Sequence, residues 1–148
     1  MYRLVILIQK CGRFFYTKKI PFLPTFFNYL NRLMFSVWFP SSVKYGRNLV
    51  LGYGGLGIVI HNRVVIGDDC HIDQNVTLGG TSKIEQVPIL GNSIYIGAGA
   101  KIIGPVKIGN NVVIGANAVV IKDIPDNSLV VGVPGKVVKT GIYKSDYV

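Results

Sequence analysis

From Ile96 to Ile121 the chain reads IGAGAKIIGPVKIGNNVVIGANAVVI, and the spacing of its aliphatic residues decides the fold. Ile96, Ile102, Ile108, Ile114 and Val120 recur every six residues, and Gly97, Gly109 and Gly115 each follow one of them. An α-helix would repeat at 3.6 residues and a half-buried strand at two. A period of six predicts a solenoid of short strands, each pointing one aliphatic anchor into a narrow core. Extended backwards, the frame holds Ile60, Ile66, Ile72, Leu78, Ile84 and Leu90, with Gly67, Gly79 and Gly91 next in line. Glycine there accommodates the turn between strands, where a Cβ would be costly. The fifth positions are mostly small or β-branched, among them Val64, Cys70, Val76, Ala100, Val106, Val112 and Ala118.

Two breaks interrupt the frame, and breaks in a regular solenoid are where function tends to concentrate. Ile84 keeps the spacing, but its neighbours Ser82, Lys83, Glu85 and Gln86 are polar and Pro88 follows, so Thr81–Pro88 reads as a loop thrown out of the helix. Upstream, Tyr45-Gly46 and Leu51-Gly52 fit a frame three residues out of register, and the glycine-rich stretch Gly52–Gly57 must absorb the slip.

The 148 residues are 49% hydrophobic and include 18 glycines, which suits one domain rich in tight turns. Cys11 and Cys70 have no metal-like spacing and read as reduced thiols. The net charge of +9 is uneven: nine Lys and Arg precede Asp68, the first acidic residue. An excess of this kind marks either a solvated face or an anionic partner. No nucleic-acid recognition motif accompanies it. Residues 1–40 are basic and aromatic, and Pro21 and Pro24 divide them into two short helices, about Tyr2–Tyr16 and Thr25–Val37. Neither is apolar for long enough to span a bilayer, and no small-residue cleavage site follows Leu4–Ile8. The expected organisation is a helical segment over 1–40, a β-helix over 41–139 and a tail over 140–148. The expected location is the cytoplasm, with residues 1–40 either capping the β-helix or lying on the inner face of the membrane.

The stretches Gly57-Ile-Val-Ile60, Val65-Ile-Gly-Asp68, Asn75-Val-Thr-Leu-Gly-Gly-Thr81, Ile96-Gly-Ala-Gly-Ala-Lys-Ile-Ile-Gly104 and Val131-Gly-Val-Pro-Gly-Lys136 together resemble serine acetyltransferases of the hexapeptide-repeat acyltransferase superfamily. The resemblance covers about residues 45 to 139. It implies a left-handed parallel β-helix with three hexapeptides per coil, a homotrimer, and acetyl-CoA as co-substrate in the groove between neighbouring subunits. Three departures stand out. Tyr53 and Gly54 occupy the positions of the family's Asp-His pair, Val87 replaces a second family histidine, and the basic-aromatic segment stands in place of the family's long acidic helical domain. In these respects the chain is more similar to the serine-acetyltransferase-like enzymes of bacterial polysaccharide biosynthesis, which often carry a histidine directly after Gly-Ile-Val-Ile, as His61 does here.

Attack of a hydroxyl on a thioester needs a general base and donors for the oxyanion. Of the two histidines, His61 is the candidate base. With residues eighteen apart stacked, it would share one corner with Gly79, Gly97 and Gly115, at the end of a glycine-lined groove, whereas His71 falls outside that corner. The N–H groups of Gly79 and Gly80 could bind the oxyanion or the thiol end of CoA. By resemblance, Ala98 and Ala116 hold the pantetheine arm through their backbones. Lys101, Lys122, Lys136 and Lys139 could meet the CoA phosphates, Lys101 and Lys136 foremost. No metal site is expected. The predicted activity is acetyl transfer to a hydroxyl of a bacterial surface glycan or its precursor. Serine O-acetylation, N-acetylation of an amino sugar and a non-catalytic scaffold are the alternatives.

Overall fold

A computed structural model describes residues 1–148. Two helices, α1 (Tyr2–Thr17) and α2 (Leu23–Phe35), precede fourteen short strands. The strands stack on three flat faces. Face I holds β3 (Val59–Ile60), β6 (Thr77–Gly79), β9 (Lys101–Ile103) and β12 (Val119–Val120). Face II holds β1 (Lys44–Tyr45), β4 (Val65–Ile66), β7 (Ile89–Leu90) and β10 (Lys107–Ile108). Face III holds β2 (Val50–Leu51), β5 (His71–Ile72), β8 (Tyr95–Ile96), β11 (Val113–Ile114) and β13 (Ser128–Val131), closed by the antiparallel β14 (Lys136–Thr140). Every other pairing between strands is parallel, and the chain winds about four coils of a left-handed β-helix.

The six-residue frame supplies the core. Ile60, Ile66, Ile72, Leu78, Leu90, Ile96, Ile102, Ile108, Ile114 and Val120 are all buried, as are the small fifth-position residues from Val64 to Ala118 outside the loop. Truncating one such anchor to Ala costs about 2–5 kcal/mol. Ile84 is the exception at 44% exposed, because Thr81–Gln86 swing into solvent. The upstream slip is taken up by a 3-10 turn over Gly52–Gly55 with left-handed backbone at Tyr53, Gly54 and Gly55. Asn48, Asp69, Asn111 and Asn127 form a column of left-handed residues between faces II and III, a backbone that Asn and Asp tolerate better than other side chains.

α1 closes the open end of the solenoid. Its Val5 and the body's Phe39 are fully buried in one core. Gln9 donates from Nε2 to the Pro40 carbonyl at 3.1 Å, and Asn31 of α2 donates to the Val5 carbonyl at 3.1 Å. Pro24 sits in the first turn of α2, where its missing N–H costs nothing. No helix is long and apolar enough to cross a membrane.

Candidate active site

His61 follows Ile60 of β3 and opens the corner between faces I and II. Its backbone N–H donates to the Leu78 carbonyl at 2.8 Å, which seats it beside Gly79. Its ring Nδ1 accepts the Arg63 N–H at 3.3 Å, and no carboxylate touches it. The Arg63 N–H is thus the ring's one hydrogen-bond partner. The ring is half-buried and lines a cavity of about 550 Å³ between the helices and face I, with Tyr16, Asn28, Trp38, Ser42 and Gly79 among the walls. A Cβ on Gly80 would lie 3.4 Å from Val87 Cγ1 and 3.9 Å from His61 Cδ2, so both residues flank Gly80.

The stacking expected from eighteen-residue spacing is corrected here. Ile60 pairs with Leu78, eighteen residues on, but Leu78 pairs with Ile102, twenty-four on. The column through His61 therefore runs Gly79 and then Ile103, not Gly97 and Gly115. Those glycines belong to the corner between faces III and I, above Asp73: the Asp73 N–H donates to the Ile96 carbonyl and the Gly97 N–H to the Ile114 carbonyl. The physical reason is the loop. It inserts one extra hexapeptide between β6 and β7, which leaves the six-residue frame intact but moves every later residue round by one face.

The predicted cofactor residues divide accordingly. Gly79 and Gly80 lie at corner I/II with His61. Ala98 and Ala116 lie at corner III/I, where the Asn117 N–H donates to the Ala98 carbonyl. Lys101 reaches that same corner, its ammonium bound to the Asn75 and Gly99 carbonyls at 2.6 and 2.9 Å. Lys136 begins β14 and is exposed above the corner, beside the Gly132–Gly135 turn that bonds Val119. Lys122 is exposed at corner I/II, between β12 and the Ile124 bridge to β10, in the last coil and far along the column from His61, and Lys139 is exposed on β14 at the end of face III.

His71, which falls outside the corner of His61, belongs to a cluster on face III. His71 Nε2 lies 3.2 Å from Asp73 Oδ1, and the Tyr95 hydroxyl donates to Asp73 Oδ2 at 2.6 Å. That hydrogen bond first, then burial and the nearby carboxylate charge, push the Tyr95 pKa up to about 12. The signal lay in the pairing of His71 with Tyr95, visible only once the twenty-four-residue step is known. At the positions of the family's Asp-His pair, Gly54 has φ +71° and its Cβ would point into the Met1 side chain at 2.7 Å, a backbone and a space that suit glycine. No group of three His, Cys, Asp or Glu side chains comes together to hold a metal.

A three-faced hexapeptide prism with a histidine and paired glycines at one corner is the architecture of a class of acyl-transferring enzymes. Residues 88–122 match the family described as Bacterial transferase hexapeptide (six repeats). The chain is 40% identical over 135 residues to the serine acetyltransferase of Helicobacter pylori, covering 90% of this chain and 78% of that one. It is 37% identical over 135 residues to the serine acetyltransferase of Synechococcus elongatus, covering 90% of this chain and 55% of the relative, so it spans about half of that relative's length. The crystal structure of serine acetyltransferase in complex with coenzyme A from Brucella abortus superposes with a TM-score of 0.87 at 28% identity, over 91% of this chain and 54% of that one. The chain belongs to the hexapeptide-repeat transferase family, in its serine acetyltransferase-like branch.

Proposed function

We propose that the protein is an acetyl-CoA-dependent O-acetyltransferase whose site lies between two copies in a homotrimer. One observation carries this reading: the residues suited to CoA sit at two different corners of the prism. His61, Gly79 and Gly80 are at corner I/II, and Ala98, Ala116, Lys101 and Lys136 are at corner III/I. A ligand long enough to touch both sets does so by lying between corner III/I of one copy and corner I/II of the next. A cyclic trimer with heterologous contacts provides that arrangement three times. The complex with coenzyme A known for the Brucella abortus relative supports CoA as the ligand. Gly80 fits this role, since nothing lies closer than 3.4 Å to its would-be Cβ and packing alone does not demand glycine there.

In this reading His61 takes the proton of the acceptor hydroxyl as its oxygen bonds to the thioester carbonyl carbon. The N–H of Gly80, just past the end of β6, holds the oxyanion, while Gly79 stays paired in the β6–β9 ladder. The carbon–sulfur bond then breaks and the imidazolium returns the proton to the CoA thiolate. The Arg63 N–H now on Nδ1 leaves the ring hydrogen on Nε2, so the ring must release this long 3.3 Å contact before Nε2 accepts a proton.

The relatives' names favour serine as acceptor over a glycan hydroxyl, and the glycan expectation draws nothing from them. A glycan hydroxyl stays as a second reading on the strength of Tyr53 and Gly54, which remove the family's Asp-His pair. The experiment is an acceptor panel with acetyl-CoA, reading released thiol. Turnover with serine supports the first reading, turnover with glycan acceptors and not serine supports the second, and failure to bind CoA removes both in favour of a scaffold.

A further inference from the structure

Two outward helix faces are exposed, one mixing basic and apolar residues and the other wholly apolar or aromatic. On α1, Arg3, Leu7, Lys10 and Phe14 follow one another at helical spacing on the side turned away from the buried Val5, Ile8, Gln9 and Gly12. On α2, the corresponding stripe is Phe22, Phe26, Tyr29 and Leu33, of which Phe22 and Leu33 are each 86% exposed. Scattered exposed apolar residues need no explanation, but a stripe along one helix face does, and here two such helices pack side by side, with Phe15 stacked on Phe27 at 5.7 Å between centroids. Beside the α1 stripe lies an open cleft of about 640 Å³ between α1 and the first coil. Its cations are Arg3, Lys10, Arg13 and Arg47, and its only acid is Asp68. Asp68 is already held by Arg47, at 2.7 Å to Nη2 and 3.2 Å to Nε. Arg13 donates from Nη1 to the Val43 carbonyl at 2.8 Å. After this pairing the cleft keeps an uncompensated positive charge from Arg3, Lys10 and Arg13.

We propose that this cleft binds the phosphate headgroup of an anionic lipid, and that the stripes on α1 and α2 rest on the same membrane surface. The two features are continuous, because Leu7 lines the cleft and is also exposed in the apolar stripe. Charge selects the occupant. A second copy docked face to face would set Arg3 and Lys10 against their own counterparts, and no acid before Asp68 relieves that repulsion. An anionic leaflet offers phosphates to the cleft and an apolar layer to Phe22, Phe26 and Leu33. The inference is independent of the acetyl-transfer reading, since none of these residues lies in the corners that hold His61 or Ala116.

The test uses the full chain in co-sedimentation with phosphatidylglycerol and with phosphatidylcholine vesicles. The expected result is binding to phosphatidylglycerol that weakens with salt, and none to phosphatidylcholine. Arg3→Glu with Lys10→Glu, both on the exposed helix surface, should weaken binding by about twentyfold or more, near fivefold for each basic contact. Its melting temperature and its CoA binding should match the parent. A second variant, Phe22→Ser with Leu33→Ser, should also weaken binding without unfolding. Loss with the apolar variant alone would overturn the headgroup site in favour of simple insertion. Stabilisation by inorganic phosphate without vesicle binding would show a free-anion site and overturn the lipid assignment. Self-association abolished by the apolar variant, with no vesicle binding, would hand the face to a second copy.

Discussion

Corner I/II and corner III/I are built from the same six-residue unit, yet they solve different problems. At corner III/I the coils press together: a Cβ on Gly97 would stand 2.7 Å from the Ala116 backbone nitrogen, so the stack itself demands glycine. At corner I/II the chain is free to depart. It throws out Thr81–Gln86, leaves Gly80 uncrowded and lets His61 face a cavity walled partly by the helices. One corner is a rail, and the other is where the proposed chemistry sits. A site assembled from both needs two chains, because a single prism keeps its corners apart.

The largest effect expected from this comparison is at His61. His61→Ala should lower turnover by about 10²–10⁴-fold with CoA affinity little changed, because the base meets the acceptor rather than the cofactor. Steady-state kinetics beside a CoA titration checks both halves. His71→Ala should be nearly silent in turnover; the reverse ranking would move the base to the His71–Asp73 pair.

Glycine substitutions separate the corners directly. Gly97→Ala should destabilise the fold by about 1–3 kcal/mol, since the backbone of the next coil cannot step aside as a side chain can. Gly80→Ala should leave the melting temperature nearly unchanged while lowering kcat, because its new methyl fills ligand space. Equal losses of stability in the two variants would erase the distinction.

The smallest effect concerns the face III cluster. Tyr95 holds its proton more tightly when folded, so its contribution to stability is complete below about pH 10 and is lost as pH rises towards about 12. Tyr95→Phe should flatten that alkaline decline. Denaturant titrations at pH 9 and pH 11 should show parent and variant converging at the higher value.

The six-residue frame made the fold legible because each anchor has one destination, the core, and the glycine after it one reason. The partners across coils were not legible in the same way. Ile84 keeps the frame while standing outside it, so nothing in the period reveals that β7 begins a face late. His61 was visible from its motif, and the cavity before it was not, because Tyr16 and Asn28 reach it through tertiary packing of α1 and α2. The His71–Asp73–Tyr95 contact escaped for the same reason as the stacking. Its members are neighbours only after the loop is subtracted.

The central claim, a site shared between copies, is tested most directly by mixing two inactive variants. His61→Ala disables corner I/II, and Ala116→Trp, at an exposed position, blocks corner III/I. Each alone should be inactive with its assembly intact. Coexpressed in equal amounts, they should regain about a quarter of the parent's activity, since a quarter of the interfaces then pair an intact I/II corner with an intact III/I corner. Activity that stays at the level of the separate variants, in mixed assemblies shown to have formed, would place the whole site within one chain and contradict the account.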